Sequence, residues 1–400
     1  MRDVEHIRRL AELVVRLGAN VQPGQIVVVS SEPGKEPLTR AIAEAAYRQG
    51  ALFVDLRVFD LHLKRVRALH ADPETLGFVP PWYGEQVRAW GDHRCARIAL
   101  SGPGDPHIMD GVDPKLLGRD MLPRVRESNQ VVNERTTNWS VVPCPTRDWA
   151  LLVHPERDPA AALEQLWSEI AHICRLDEPD PVAAWRARLD TLTGMCGKLN
   201  ALELDRLRFE GPGTNLIIGL LPGSRWLAAQ MSTVDGIVHV PNLPTEEVFT
   251  TPDPARTEGV VTATKPLELT GTTITGLRVR FAGGEAVEIE ADQGAPALRS
   301  LTAQDAGGRR LGEVALVDRE SRIGQLGTVF YDTLLDENAA SHIALGQGFD
   351  FGVEDDEARA RVNSSNIHVD FMIGSSQIAV TGVSSHGDEI PLLRDGGWVL

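Results

Sequence analysis

The fold is indicated first by the stretch QIVVVS (Gln25–Ser30), a short β-branched run that follows a Pro-Gly pair. An Ala-rich segment from Pro37 to Arg48 has helical spacing and ends just before Gly50. The next segment, ALFVDL (Ala51–Leu56), is typical of a second strand. Strand, helix and strand in this order predict a β-α-β unit with parallel strands.

The rest of the first half continues this alternation. A strand is predicted at Ala96–Leu100, and long helices are predicted at Ala160–Leu176 and Val182–Asn200. The first half is therefore predicted to be an α/β domain with a doubly wound, mostly parallel sheet. It contains neither G-x-G-x-x-G nor G-x-x-x-x-G-K, so a nucleotide site is not expected there.

The second half changes character. Strand-like segments separated by Gly, Pro and Thr occur at 207–210, 216–220, 236–240 and 277–281. We predict two domains: residues 1–196 form the N-terminal α/β domain, and residues 197–400 form a β-rich α+β domain. A chain of 400 residues exceeds what one hydrophobic core usually serves.

Composition narrows the class of function. With 40 basic and 56 acidic residues the formal charge is −16, which argues against nucleic acid or anionic membrane partners. The four cysteines, Cys95, Cys144, Cys174 and Cys196, form no C-x-x-C pair and predict buried free thiols. The N-terminus has no apolar signal region, and no run of eighteen apolar residues occurs, so we expect a cytoplasmic protein.

Two histidines and several carboxylates stand in apolar surroundings in the last third. IHVDF (Ile367–Phe371) is typical of a strand, in which His368 and Asp370 point to the same face. A core histidine oriented by Asp370 is the simpler interpretation of this pair alone. His342 lies in a segment, Asn338–Leu345, that we predict to be a helix with Asp336 or Asn338 as its N-cap.

Two glutamates stand in similar positions. Glu313 enters a predicted strand at 314–317, and Glu246 and Glu247 precede Val248 in extended sequence. Adjacent side chains of a strand diverge, so only one of Glu246 and Glu247 can face a given site, and the pattern does not choose between them. Carboxylates with imidazoles and no thiolate suit Zn, Co, Mn or Fe.

At these residues the chain resembles the M29 aminopeptidases, metallopeptidases of the aminopeptidase T, aminopeptidase S and PepS type. The likeness covers nearly the whole chain. It is carried by the motifs TNWSVVP (137–143), GPGT (211–214), NLPTEEVF (242–249), RRLGEV (309–314), FYDTL (330–334) and DENAASH (336–342).

The resemblance implies an enzyme that removes N-terminal residues from peptides, with two divalent metal ions (Zn, Co or Mn) and a homodimer. The family's metal ligands fall on Glu247, Glu313, His342, His368 and Asp370. The resemblance thereby favours Glu247 over Glu246 as a ligand, and it implies catalytic roles for Glu247 and Glu313. Bound metal would activate a water molecule for attack on the scissile carbonyl. Glu246, Asp336 or Glu337 could hold the ammonium group of the peptide.

One position departs from the family. The family has a Tyr seven residues after the first histidine, and this chain has Phe349. On a continuous helix, position 349 would share a face with His342 and look at the site. Losing one such hydrogen-bond donor costs about a hundredfold in rate. Tyr331 stands where the family can carry Phe.

This departure leaves an alternative function open. Ring-cleaving dihydroxypyridine dioxygenases on a similar fold use one Fe(II) held by two His and one carboxylate, for which His342, His368 and Asp370 would suffice. Glu247 and Glu313 argue against it, because a site with one metal does not need them. A binding protein with purely structural metals is a weaker alternative, since structural zinc favours Cys-rich shells.

Overall fold

The computed structural model describes residues 2–105, 107–117, 119–120, 122–123, 125–269 and 272–400. The helices are α1 (Arg2–Leu13), α2 (Glu36–Arg48), α3 (Leu61–His70), α4 (Pro81–Asp92), α5 (Pro114–Leu117), α6 (Arg126–Asn133), α7 (Arg147–Val153), α8 (Pro159–Ile173), α9 (Pro181–Ala201), α10 (Ala295–Thr302), α11 (Arg322–Leu326), α12 (Thr333–Glu337) and α13 (Asp356–Arg359). A π-helical turn spans Val14–Gly18, and 3-10 turns span Pro73–Thr75 and Asp350–Gly352.

The strands are β1 (Ile26–Ser31), β2 (Phe53–Val58), β3 (Ala96–Ser101), β4 (Asn138–Pro143), β5 (Leu204–Gly211), β6 (Thr214–Leu220), β7 (Leu227–Ala228), β8 (Met231–Ser232), β9 (Val238–His239), β10 (Glu247–Thr250), β11 (Pro252–Thr262), β12 (Leu267–Leu269), β13 (Thr272–Ile274), β14 (Arg278–Ala282), β15 (Glu285–Glu290), β16 (Leu311–Val317), β17 (His342–Gly346), β18 (His368–Met372), β19 (Ala379–Ser384), β20 (Glu389–Arg394) and β21 (Gly397–Trp398).

The chain forms two compact units. The first contains residues up to Arg188 together with Ala229–Thr245, and the second contains Leu189–Ala228 and Glu246–Leu400. The segment 236–240, predicted as a strand of the β-rich half, contains β9 and belongs to the first unit. The domain boundary predicted between residues 196 and 197 lies inside α9 and stays a prediction.

The first unit is built on a parallel sheet with the strand order β2-β1-β3-β4, which confirms the predicted α/β class. Three consecutive valines, Val27 to Val29, bury the centre of β1. The helix α2 crosses from β1 to β2, begins with Pro37 in its first turn and buries one stripe of its surface, including Leu38, Ile42 and Ala46. Gly50 follows it at φ +95°, a conformation that favours glycine and ends the helix.

The second unit contains two main antiparallel sheets, as predicted for a β-rich α+β domain. One has eight strands in the order β15-β14-β11-β6-β5-β19-β20-β21. The other has five strands in the order β18-β17-β16-β10-β7, and we call it the site sheet, because it carries every predicted metal ligand. The predicted strand around His368 and Asp370 is confirmed as β18.

The two faces of the site sheet differ in kind. On one face the apolar side chains of Val314, Leu316, Ile343, Leu345 and Phe371 join a single buried core. Successive side chains of a strand alternate between faces. The opposite face therefore receives the alternate positions, which include the predicted ligands, and the hydrophobic core holds this array in place.

All four cysteines are buried and free, as predicted. Burial raises the pKa of each thiol, to about 11 for Cys95 and to about 12 for Cys144 and Cys196. They are inert packing groups. Among the described residues, no helix combines the length and the apolar character needed to cross a bilayer.

Candidate metal centre

Two overlapping groups of potential ligands lie on one face of the site sheet. Glu247, Glu313 and His342 form one group, and Glu313, His368 and Asp370 form the other. Within each group, the ligand atoms all lie within 4.8 Å of one another. Glu313 belongs to both groups. The structure thus brings together all five residues that the family resemblance singled out, and Glu246 is in neither group.

Strand register aligns three of these positions. Glu313 of β16 is paired with Ala344 of β17, and Ala344 is paired with Asp370 of β18. The small side chain of Ala344 separates the two carboxylates and leaves the space above it open. The carboxylates of Glu313 and Asp370 can therefore approach a shared ion from two strands that are not themselves neighbours.

A register shift turns Glu313 toward this face. Between Leu311 and Glu313 the pairing with β17 shifts by one residue, and Gly312 is the extra residue of the bulge. A Cβ atom at Gly312 would collide with the carbonyl oxygens of Gly346 and Gln347. Leu311 can then bury its side chain in the core while Glu313, two residues on, faces the ligands.

Both histidines are oriented by backbone carbonyls. The Nδ1 atom of His342 lies 3.2 Å from the Ala340 carbonyl oxygen, and that of His368 lies 2.8 Å from the Gln347 carbonyl oxygen. Nδ1 therefore donates its proton, and Nε2 is left for the site. Such a carbonyl partner is the usual way in which a metal-binding histidine has its tautomer fixed.

The Nε2 atoms face carboxylates. His342 Nε2 is 3.0 Å from Glu247 Oε2, and His368 Nε2 is 3.2 Å from Glu313 Oε2 and 3.3 Å from Asp370 Oδ2. His342 is buried, and the His368 side chain is 27% exposed. A neutral imidazole with Nδ1 protonated would set the Nε2 lone pair against these oxygens, and a positive charge between them, either a proton on Nε2 or a metal ion, removes that repulsion.

The site holds an excess of buried negative charge. Burial raises the pKa of Glu313, and the neighbouring charges of Asp370 and Glu247 raise it further against the opposing effect of His368. Burial lowers the pKa of His342, but contact with Glu247 outweighs this and raises the pKa well above its usual range. Burial also lowers the pKa of His368, but its contacts with Asp370 and Glu313 outweigh this effect and raise the pKa well above its usual range.

The donor set fits divalent metal ions. Glu247 Oε2 is buried and makes no well-formed hydrogen bond, although His342 lies beside it. Two imidazoles and three carboxylates without thiolate match the ligands that Zn, Co and Mn accept. Both groups contain one imidazole and at least one carboxylate besides the shared Glu313.

The predicted helix around His342 is wrong. Residues 342–346 form β17, which pairs with β16 on one side and β18 on the other, and α12 ends earlier, at Glu337. The segment is apolar and short, a pattern that helices and buried strands share, and two flanking strands decide in favour of a strand. Neither predicted N-cap begins a helix here. Asp332, and not Asp336, caps α12, and the Asn338 side-chain oxygen accepts a hydrogen bond from the Glu246 N–H.

Phe349 lies at the site although no helix carries it there. Its ring centroid is 5.3 Å from that of His368, 5.6 Å from that of Phe249 and 5.3 Å from that of Phe351. Its carbonyl oxygen accepts a hydrogen bond of 2.9 Å from Thr251 Oγ1. The position to which the family resemblance assigned a phenol therefore contacts His368, a candidate ligand, and presents a phenyl ring to it.

Of the acids proposed for the ammonium group, Glu337 interacts electrostatically with the candidate ligands. Burial raises its pKa well above the usual range, as do the charges of Asp370 and Glu247, while His342 lowers it. Asp336 is otherwise engaged, because its two oxygens accept from the N–H groups of Phe330 and Asp332.

Sequence reasoning missed the aromatic neighbours of the ligands. Phe249 stands two residues after Glu247 on β10, so the same alternation that paired His368 with Asp370 would have placed it on the site face. Phe351 gave no such signal, because the 3-10 turn that carries it has no regular period.

Comparisons with known proteins agree with this site. A family model described as thermophilic metalloprotease (M29) matches residues 3–398. The chain is 40% identical to aminopeptidase T of Thermus thermophilus over 403 residues, 99% of this chain and 98% of that protein. It is 35% identical to aminopeptidase PepS of Streptococcus thermophilus (99% and 98% covered) and 32% identical to aminopeptidase AmpS of Bacillus subtilis (98% of each).

A solved structure shares the fold. Wild-type AmpT from Thermus thermophilus superposes with a TM-score of 0.89 at 41% identity, and the alignment covers 99% of each chain. An alignment that covers 99% of this chain includes residues of both units.

Proposed function

The chain belongs to the M29 thermophilic metalloproteases and is an aminopeptidase, a hydrolase, and we propose that it releases N-terminal residues from peptides at a site of two divalent metal ions. One observation carries the proposal: two ligand groups of three residues overlap at a single carboxylate, Glu313. A site for one ion would not need two groups. The ring-cleaving alternative with one Fe(II) finds no support, because the relatives named above are aminopeptidases.

Five residues would hold the ions. Glu247 and His342 would bind one ion and His368 and Asp370 the other, and Glu313 would contribute a ligand to each. Bound divalent ions supply Lewis-acid activation of the attacking water and polarisation of the scissile carbonyl. Glu247 and Glu313 are thus the carboxylates whose loss we expect to abolish catalysis.

The protein's own groups orient these ligands. The Ala340 and Gln347 carbonyls hold the two imidazoles with Nε2 toward the site. The hydrophobic core behind the sheet fixes the strands, so the ligand atoms need little rearrangement on binding.

We propose that Glu337 receives the peptide's ammonium group. An aminopeptidase must recognise a positive charge one residue from the scissile bond, and Glu337 is a buried carboxylate outside both ligand groups that interacts with them electrostatically. An ammonium group would stabilise its ionised form and thereby offset the cost of its burial.

The function is tested with metal-free protein reloaded with Co, Zn or Mn and given a mixed peptide library. Mass spectrometry is expected to show stepwise loss of N-terminal residues, while N-acetylated copies of the same peptides stay intact. Absence of release with each of the three metals would contradict the proposal, and internal cleavage would contradict an aminopeptidase specifically.

We also propose a homodimer formed through the first unit. The edge strand β2 and the following helix α3 carry large apolar side chains that are each at least half exposed, namely Phe53, Leu56, Val58, Leu63 and Val66. So many exposed apolar groups favour contact with a second copy. Light scattering should give a dimer mass that falls toward the monomer in Leu63→Glu but not in Val4→Glu, an equally exposed position on α1.

A cytoplasmic location remains our proposal as well. Four free thiols, all buried, are in keeping with a reducing compartment. Fractionation of the producing cells, with activity followed in each fraction, tests it.

A further inference from the structure

Three phenylalanine rings form a wall beside the ligands that the metal chemistry does not use. Phe349 packs edge to face against Phe249 and at a tilt against Phe351. We call these three residues the phenylalanine wall. All three side chains are only half-buried, and none of them belongs to the buried core behind the site sheet. Their exposed faces are therefore available to a further apolar group.

The wall lies on the same face as one ligand group and contacts the other. Phe249 follows Glu247 by two residues on β10, so the two side chains share the site face. Phe349 packs against the ring of His368 from the other group. A molecule held at both groups would therefore lie next to the wall.

The geometry points to a side-chain subsite: we propose that the phenylalanine wall receives the side chain of the peptide's first residue and makes the enzyme selective for large apolar residues there. This rests on the proposed function. The side chain of the first residue leaves the atom next to the scissile carbonyl, so it must lie within a few ångströms of the ligands. The wall offers it a surface without charge.

Chemistry around the wall favours the same class. Burying an apolar side chain against exposed rings removes both surfaces from water, and aromatic partners add edge-to-face contacts. An acidic first residue would lose its hydration against the uncharged rings of the wall and gain no hydrogen bond from them in return. We therefore expect peptides that begin with Phe or Leu to be preferred, and peptides that begin with Asp to be poorest.

The wall is tested by the selectivity ratio, which is kcat/KM for Phe-Ala-Ala divided by kcat/KM for Ala-Ala-Ala. We expect a ratio above about ten in the native protein, since each well-packed methylene contributes several-fold discrimination. Phe351→Ala should lower this ratio about tenfold. Phe78→Ala, which removes an exposed phenylalanine of the first unit, should leave it unchanged. If Phe351→Ala folds poorly, Phe351→Leu should lower the ratio less but in the same direction.

Some outcomes would overturn the subsite. A native ratio near one would do so, as would a loss of kcat/KM in Phe351→Ala that is equal for both peptides, because that pattern means the ring only supports His368.

A second measurement separates the subsite from the peptidase function. Saturation-transfer NMR on metal-free protein should show the ring protons of L-phenylalaninamide in contact with the native protein and less so with Phe351→Ala. Peptide cleavage without this contact would refute the wall alone. Contact without cleavage would refute the peptidase function and leave the apolar subsite standing.

Discussion

His342 Nε2 lies 3.0 Å from Glu247 Oε2 although their strands are not paired. β17 and β10 are separated by β16, which pairs with both, and Ala315 of β16 is opposite His342 on one side and Phe249 on the other. The side chains of His342 and Glu247 meet above β16, where the small side chain of Ala315 leaves room for them. Two strands that share no hydrogen bond thus supply two members of one ligand group, and Glu313 on the strand between them supplies the third.

The number of bound ions follows from the overlap of the two ligand groups. Native protein should hold two divalent ions per chain, and Glu313→Gln should hold one or none, since the amide is a weaker ligand in both groups. Activity should be lost with the metal. Elemental analysis after dialysis measures this, with Glu246→Gln as the matched control that retains both ions. One ion in the native protein, or two in Glu313→Gln, would contradict the overlap.

Restoring the phenol at position 349 should accelerate the enzyme. Because the Phe349 ring already contacts His368, Phe349→Tyr would bring an O–H donor to the site. We expect kcat on peptides to rise, by up to about a hundredfold. Steady-state kinetics at fixed metal content checks it, and Phe351→Tyr serves as a control that adds a phenol elsewhere in the wall. Equal effects of both variants would show that position 349 is not special.

Neutralising Glu337 should weaken substrate binding. Glu337→Gln removes the charge that we assign to the peptide's ammonium group and should raise KM by about tenfold or more, with metal content unchanged. The adjacent Asp336→Asn should leave KM near the native value, because the Asp336 carboxylate serves backbone N–H groups. The idea fails if Glu337→Gln loses metal, since Glu337 would then be a ligand.

Asp336 should make stability depend on pH. Burial raises its pKa from 3.8 to about 7, although the N–H groups of Phe330 and Asp332 lower it in part. Because the folded pKa is higher, its stabilising contribution is complete below pH about 4 and is lost as pH rises through about 7. The difference in unfolding free energy, native minus Asp336→Asn, should therefore fall from pH 4 to pH 8, by on the order of 4 kcal/mol at most.

Urea unfolding in EDTA measures this difference without the contribution of bound metal. Native and variant profiles that run parallel across the range would show that Asp336 titrates normally.

Local pattern predicted the first unit and part of the site. The β-α-β unit formed by β1, α2 and β2 follows from β-branched runs and a helical period, which are properties of neighbouring residues. The shared face of His368 and Asp370 follows from strand alternation alone. These features need no knowledge of distant partners.

What could not be predicted depends on distant partners. Residues 342–346 are a strand because β16 and β18 flank them, and no periodicity inside the segment reveals those neighbours. The contact of Phe349 with His368 likewise arises from the chain path after β17 and not from helical spacing.

The bulge at Gly312 makes the site depend on a residue that binds nothing. Substituting Gly312 would remove no ligand from the sequence, yet the added Cβ would collide with the carbonyl oxygens of Gly346 and Gln347. In a strand without the bulge, Leu311 and Glu313, two residues apart, would compete for the same face, and either the core or the ligand array would lose its member. A search by ligand identity would still accept such a chain as complete. A complete set of ligands therefore defines this site only together with the glycine that lets Glu313 face them.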